Sequence, residues 1–305
     1  MMRQAFLQDA EVREFSEWLA GRLTHLTVRL NMSVSPYMPL GLNVVTTFDQ
    51  LVPDCYRWRF TGMVTGDWLE TMLRMRDLST ALREAVDRND VVATHAACEA
   101  VVEWGADRNS RVGASAYLVS LGDKLPLYLK TSGNALRLAE PDPSGNFRSI
   151  PRMNSTLCKI HALYAADGLP IYESRVAAAV GTLVEMWRRD TGRAAQPLSA
   201  MLRFPAVGNQ LQRRVRRAFP DAVDPGVLSY NIGSEIATAG RWASAAVRVG
   251  LLMEETLRRG PPDRFVAWTS RHGAQAHKAR MAAFIGALFM AGYDPRCMVE
   301  ATVRA

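Results

Sequence analysis

At 305 residues the chain can bury a substantial core, as one large domain or two smaller ones. Its formal charge of +7 rests on 33 Arg and 4 Lys against 30 acidic residues, and arginine's planar fork suits phosphate better than a lysine point charge does. That balance favours a polyanionic partner, although a GC-rich genome would enrich arginine in the same way, and no run approaches the ~18 apolar residues of a membrane span.

The first fifteen residues carry acids where a signal peptide has its apolar core, so the expectation is a cytoplasmic protein with no membrane association. From Asp9 to about Leu30, Val12, Phe15, Leu19, Leu23 and Leu26 recur at helical spacing and predict an amphipathic helix. Residues 31–66 hold Pro36, Pro39 and Pro53 among short β-branched runs, which reads as irregular chain with a strand or two. Asp67 opens a predicted helix to about Arg88, and Asp90 caps another that ends near Trp104.

Residues 105–113 form a polar turn in which Asp107 or Asn109 is placed to line a pocket, and a helix follows at 116–125. The turn-rich stretch 131–147 is the best internal boundary by composition. Further on, the pattern predicts helices at 155–166 and 174–188, a loop at 196–209, a short arginine-rich helix at 210–219, and long helices at 238–259 and 277–291. Cys55, Cys98, Cys158 and Cys297 make no CxxC pair and read as reduced core residues, with no metal or cofactor implied. The sum is a mainly α fold.

The segment from Ile150 to Trp187 stands apart. Two almost charge-free helical patterns flank a turn, with Lys159 as the one charge of the first and Glu173 directly before the second. An ionisable group in so apolar a setting needs compensation or a task, which makes this pair the leading candidate for chemistry. Asn154 or Ser155 suits the N-cap of the first helix, whose open amides would also hold a phosphate. The bland alternatives are common: a core helix whose Lys159 snorkels outward, and a Glu173 that merely caps a helix with Arg175 as counter-charge.

Ile150 to Lys159 followed by Leu169 to Val176 resembles the part of helix-hairpin-helix DNA glycosylases in which a hairpin lysine is followed by a catalytic Asp at a helix mouth. The stretches 152–184, 202–204, 231–252 and 287–295 resemble bacterial 8-oxoguanine-glycosylase-like proteins, including anti-phage glycosylases acting on hypermodified bases. The likeness runs from about Trp104 to Asp294 and is best from Arg152 to Val184. It implies a helix-hairpin-helix glycosylase-like fold, divided into an N-terminal helical and irregular region (1–104) and a glycosylase-like region (105–305), if not one continuous domain. Three departures stand out: Arg152 and Asn154 replace the hairpin glycines, Thr156 occupies the position of the lyase lysine, and Glu173 stands where the group usually has Asp, its carboxylate about one C–C bond further out.

The resemblance therefore implies an enzyme of double-stranded DNA that flips out and excises a modified base, such as glucosylated hydroxymethylcytosine of phage DNA, and leaves an abasic site. Glu173 would be its catalytic acid, with Lys159 contacting the base or the sugar. Arg148, Arg152, Asn154, Ser155 and Arg175 flank the pair as DNA-binding residues. The alternative is a non-catalytic DNA-binding protein on the same scaffold.

Overall fold

The computed structural model describes residues 2–105, 113–208, 210–228, 236–261, 265 and 273–299. Helices make up 61% of it, so the mainly α expectation holds, with two small two-stranded sheets added. Asp107 and Asn109 lie outside the described residues.

The N-terminal pattern folds as α1 (Met2–Gln8) and α2 (Ala10–Arg22), the second capped by Asp9, which accepts from the Val12 amide at 3.0 Å. The helix predicted to reach Leu30 stops at Arg22. Thr27–Met32 instead forms β1, antiparallel to β2 (Leu42–Thr47), with Val28, Leu30 and Met32 buried on one side. Alternate residues facing the core satisfy a strand period, and the β-branched Thr27 and Val28 favour it. A short α3 (Leu51–Cys55) follows.

Helix α4 (Trp68–Asp87) and α5 (Val91–Trp104) are capped by Asp67 and Asp90, which accept from the amides of Glu70 (2.9 Å) and Ala93 (2.9 Å). They form one layer with α6 (Ala114–Leu121), α7 (Leu125–Ala135) and α8 (Ser155–Tyr164). Helix α7 takes in five residues of the stretch expected to be a turn-rich loop. Ser132 returns its hydroxyl to the Tyr128 carbonyl (2.6 Å), and Gly133 gives room to the Tyr164 ring.

The second layer joins α1–α3 to α9 (Ser174–Asp190), α11 (Ile236–Arg259) and α12 (Gly273–Ala291). The short pieces β3 (Ala206–Val207), α10 (Val215–Ala218) and β4 (Val227–Leu228) lie between α9 and α11 in the chain, and β3 pairs in parallel with β4. The expected helix at 210–219 is thus only the turn 211–213 and α10.

The N-terminal helices close back on the C-terminal half: α2 packs on α9 and α11, and Phe15 meets Trp187 at 5.6 Å. One hydrophobic cluster runs through both layers and crosses the 104/105 position, with Trp187, Trp242, Phe15 and Phe284 among its largest members. The turn between α8 and α9 joins the two layers, with Leu169 and Tyr172 buried in it.

Candidate functional site

Glu173 closes that turn and is the N-cap of α9. Its Oε1 accepts from the backbone amides of Arg175 (2.8 Å) and Val176 (3.2 Å), satisfying two donors that a helix start leaves open. Oε2 accepts a 3.3 Å bond from the Ser174 hydroxyl, which in turn accepts from Arg213 at 2.6 Å. The partial positive charge of the helix start favours an anion here, and the carboxylate is oriented before any ligand arrives.

The backbone beneath it is braced by Tyr172, a fully buried ring. The Tyr172 amide donates to Cys158 Sγ (3.2 Å), its carbonyl accepts from the Trp242 indole (3.0 Å), and its hydroxyl donates to the Pro205 carbonyl (2.6 Å). Three elements, α8, α11 and the strand-like segment at 205, therefore fix one residue next to Glu173. Cys158 is a linking group: burial pushes its thiol up to about 12, and both Lys159 and Glu173 lie within electrostatic reach of it.

Lys159 is half-buried on α8 and donates from Nζ to the Gly105 carbonyl at 3.1 Å, at the C-terminal end of α5. A cation suits the carbonyl-rich end of a helix. Gly105 leaves the space that the lysine end occupies, since a Cβ there would stand 2.7 Å from Nζ. The far end of α8 is held in a similar way. Arg83 donates to the Leu163, Tyr164 and Ala165 carbonyls, and Lys278 donates to Ala165 at 3.1 Å.

The structure disposes the expected DNA-binding residues differently from one another. Asn154 is the N-cap of α8 and accepts from the Leu157 amide at 2.8 Å, while Ser155 is half-buried as the first helical residue. Arg148 is exposed, and Arg152 is exposed with its guanidinium 5.3 Å from the Tyr117 ring centroid.

Arg175 is buried, which removes it from the surface where a phosphate would be met. Its guanidinium lies 3.8 Å from the Trp58 centroid, 4.3 Å from Phe289 and 5.7 Å from Tyr293. Burial draws its pKa down to about 10, against the opposing pull of Glu173. Gly292 permits the enclosure: a Cβ there would fall 1.8 Å from the Arg175 carbonyl oxygen, so the end of α12 rests directly on the start of α9. This cation sits beside Glu173 as a desolvated counter-charge held by aromatic faces.

A second buried polar group lies on the inner side of α8. His161 is 1% exposed and shares a 3.1 Å hydrogen bond between Nε2 and the Tyr128 hydroxyl, and Tyr128 meets Tyr117 edge to face. Burial lowers the His161 pKa to about 4, so the ring is neutral at physiological pH. Among the described residues no group of three or more His, Cys, Asp or Glu is placed to hold a metal ion. No protein-family model matches the chain, and neither does a curated protein or a solved structure.

Several contributors carry no sequence signal. Trp58, Phe289 and Tyr293 are far from Arg175 in the chain, and nothing in their spacing announces a cage. Arg213 reads in sequence as one of a basic strip with Arg214, Arg216 and Arg217. In the fold it bonds to Ser174 under Glu173, Arg214 bonds to the Gly208 carbonyl, and Arg216 bonds to the Ala222 carbonyl at 3.0 Å. No helix among the described residues is long and apolar enough to cross a membrane.

Proposed function

We propose that the protein is a DNA N-glycosylase that extrudes a modified base and hydrolyses its bond to the sugar, with Glu173 as the catalytic carboxylate. The observation that carries this reading is the state of that side chain: Oε1 is locked by two backbone amides, and Oε2 keeps a single long bond to Ser174. Cleavage of an N-glycosidic bond develops oxocarbenium charge at the sugar, and a carboxylate fixed in advance stabilises that charge without reorganising. The same oxygen orients the attacking water and takes its proton. A base inside a duplex is out of reach of such a group, so the nucleotide must be flipped.

Lys159 is assigned a contact to the flipped base or its phosphate rather than attack on the sugar carbon. Its amine is engaged by the Gly105 carbonyl and sits nearly one helical turn beyond Thr156, where a lyase lysine is expected. The product would be an intact strand with an abasic site. The likeness to anti-phage glycosylases supports hypermodified pyrimidines, such as glucosylated hydroxymethylcytosine, as the substrate class.

Incubating the protein with duplexes that carry different modified bases, then identifying the free base by mass spectrometry, tests this directly. Release of one base class is expected. Retention of every base, with tight duplex binding, would instead support a non-catalytic DNA-binding role. That second reading draws on one observation, that Glu173 and Lys159 are each already bonded within the fold.

A further inference from the structure

Away from the Glu173 turn, a cavity of about 650 Å³ opens where the loop 145–148, the segment 200–205 and one face of α11 meet. Four arginines line it, Arg148, Arg203, Arg241 and Arg248, and among the described residues no carboxylate does. None of the four forms an ion pair with another described residue, in a protein where Arg3, Arg188, Arg189, Arg193, Arg258 and Arg259 all do. Gathering four like charges with no counter-charge among the described residues costs folding energy through mutual repulsion, which an anionic ligand would offset.

The four are not equivalent. Arg248 is a strut: its guanidinium donates to the carbonyls of Ala200 (2.7 Å), Met201 (3.0 Å) and Arg203 (3.1 Å), so it pins the loop that presents Arg203. Burial lowers its pKa, as expected for a cation set into the protein wall. Arg148, Arg203 and Arg241 are exposed arms, and Arg203 is steadied by a bond from Nε to the Leu198 carbonyl at 3.2 Å. Gly240 holds the opposite wall in place, since a Cβ there would come within 2.5 Å of the Asn146 carbonyl oxygen; the missing side chain lets loop 145–148 settle on α11 and brings Arg148 toward Arg241.

We infer that this cavity is a phosphodiester-binding groove that takes one strand of a nucleic acid backbone. Arg148, Arg203 and Arg241 are three separate exposed guanidinium forks around one cavity, more than a single phosphate group needs and suited to successive phosphates of one strand. Among the described residues no aromatic ring lines the cavity, and what they offer is cationic forks suited to phosphate oxygens rather than stacking faces for a base. The inference rests on the nucleic-acid partner of the reading above and not on base excision.

The test is therefore made on an unmodified duplex, for which excision is irrelevant. Binding by the full chain is measured across a salt series for wild type, Arg203→Ala/Arg241→Ala, and a control, Arg76→Ala/Arg88→Ala, that removes the same charge from α4. The groove variant should weaken binding roughly tenfold or more and reduce the slope of log affinity against log salt by about 1.8, at ~0.9 for each phosphate no longer neutralised. The control should leave the slope unchanged. Equal losses in both variants, or none in the first, would overturn the inference. So would inorganic triphosphate raising the melting temperature of wild type but not of the groove variant while duplex binding is the same for both, since the site would then serve a small free anion.

Discussion

Around Glu173 the charged groups are tied down, whereas beneath α11 three of four arginines end in solvent. The carboxylate is bonded to two backbone amides, Lys159 to a helix carbonyl, and Arg175 lies against aromatic rings. In the arginine-lined cavity Arg248 spends its guanidinium on three carbonyls of the fold, while Arg148, Arg203 and Arg241 present theirs at the surface. Chemistry at a developing charge gains from a group that does not have to move, and backbone tracking gains from long arms that adapt. That contrast is the one required by the proposed roles, a catalytic centre at Glu173 and a positioning surface at the cavity.

The largest effect expected at the first region follows from Glu173→Gln. Single-turnover base release should fall by about 10³-fold or more, because the neutral amide no longer opposes oxocarbenium charge, while duplex affinity stays within a few fold. An equal fall in affinity would mean that Glu173 acts through the fold and would erase the contrast between the regions.

Arg175→Ala should empty the aromatic cage and cost about 3 kcal/mol in chemical denaturation, as a large-to-small change in a packed site. Arg175→Met refills the space without the charge and should recover most of that loss. If both variants are as stable as wild type, the cage is not a structural support for the start of α9.

His161 gives the contrast a pH dependence. Its folded pKa of about 4 lies below the ordinary 6.5, so the unfolded chain binds the proton more readily than the folded one. Its contribution to stability is constant above about pH 6.5 and is lost as the pH falls toward 4, by up to about 3 kcal/mol. His161→Gln, which can still bond to Tyr128, should flatten that part of the denaturation profile. A profile unchanged by the substitution would show that His161 titrates normally. The smallest effect belongs to Arg152→Ala, which removes an exposed contact with Tyr117 and should cost about 0.5 kcal/mol.

Local signals in the sequence carried much of the fold. Asp90 caps the helix expected of it, Asn154 rather than Ser155 caps α8, and Asp9 and Asp67 cap the helices expected to begin there, because capping needs only a short polar side chain and amides two or three residues on. Glu173 is legible for the same reason. The segment 23–32 is not: Leu23, Leu26 and Leu30 continue the helical spacing while Leu26, Val28, Leu30 and Met32 alternate, and pairing with β2 decides between the two readings. Arg175 was expected to meet phosphate because it flanks Glu173 in the sequence, but its aromatic cage comes from residues 58, 289 and 293. The bracing of Tyr172 by Cys158, Pro205 and Trp242 is equally non-local. What sequence spacing gives no account of is assembled by the packing of α9, α11 and α12.

The most direct measurement of the proposed chemistry follows one labelled strand of a modified duplex through a single turnover, read before alkali, after hot alkali, and after borohydride. On the proposed mechanism, in which Glu173 activates water and Lys159 stays bound to the Gly105 carbonyl, an intact strand is expected at first, with a cut at the modified position only after alkali and no covalent adduct with borohydride. A strand that remains uncut after alkali for every modified base, or a borohydride adduct that disappears in Lys159→Ala, would contradict it.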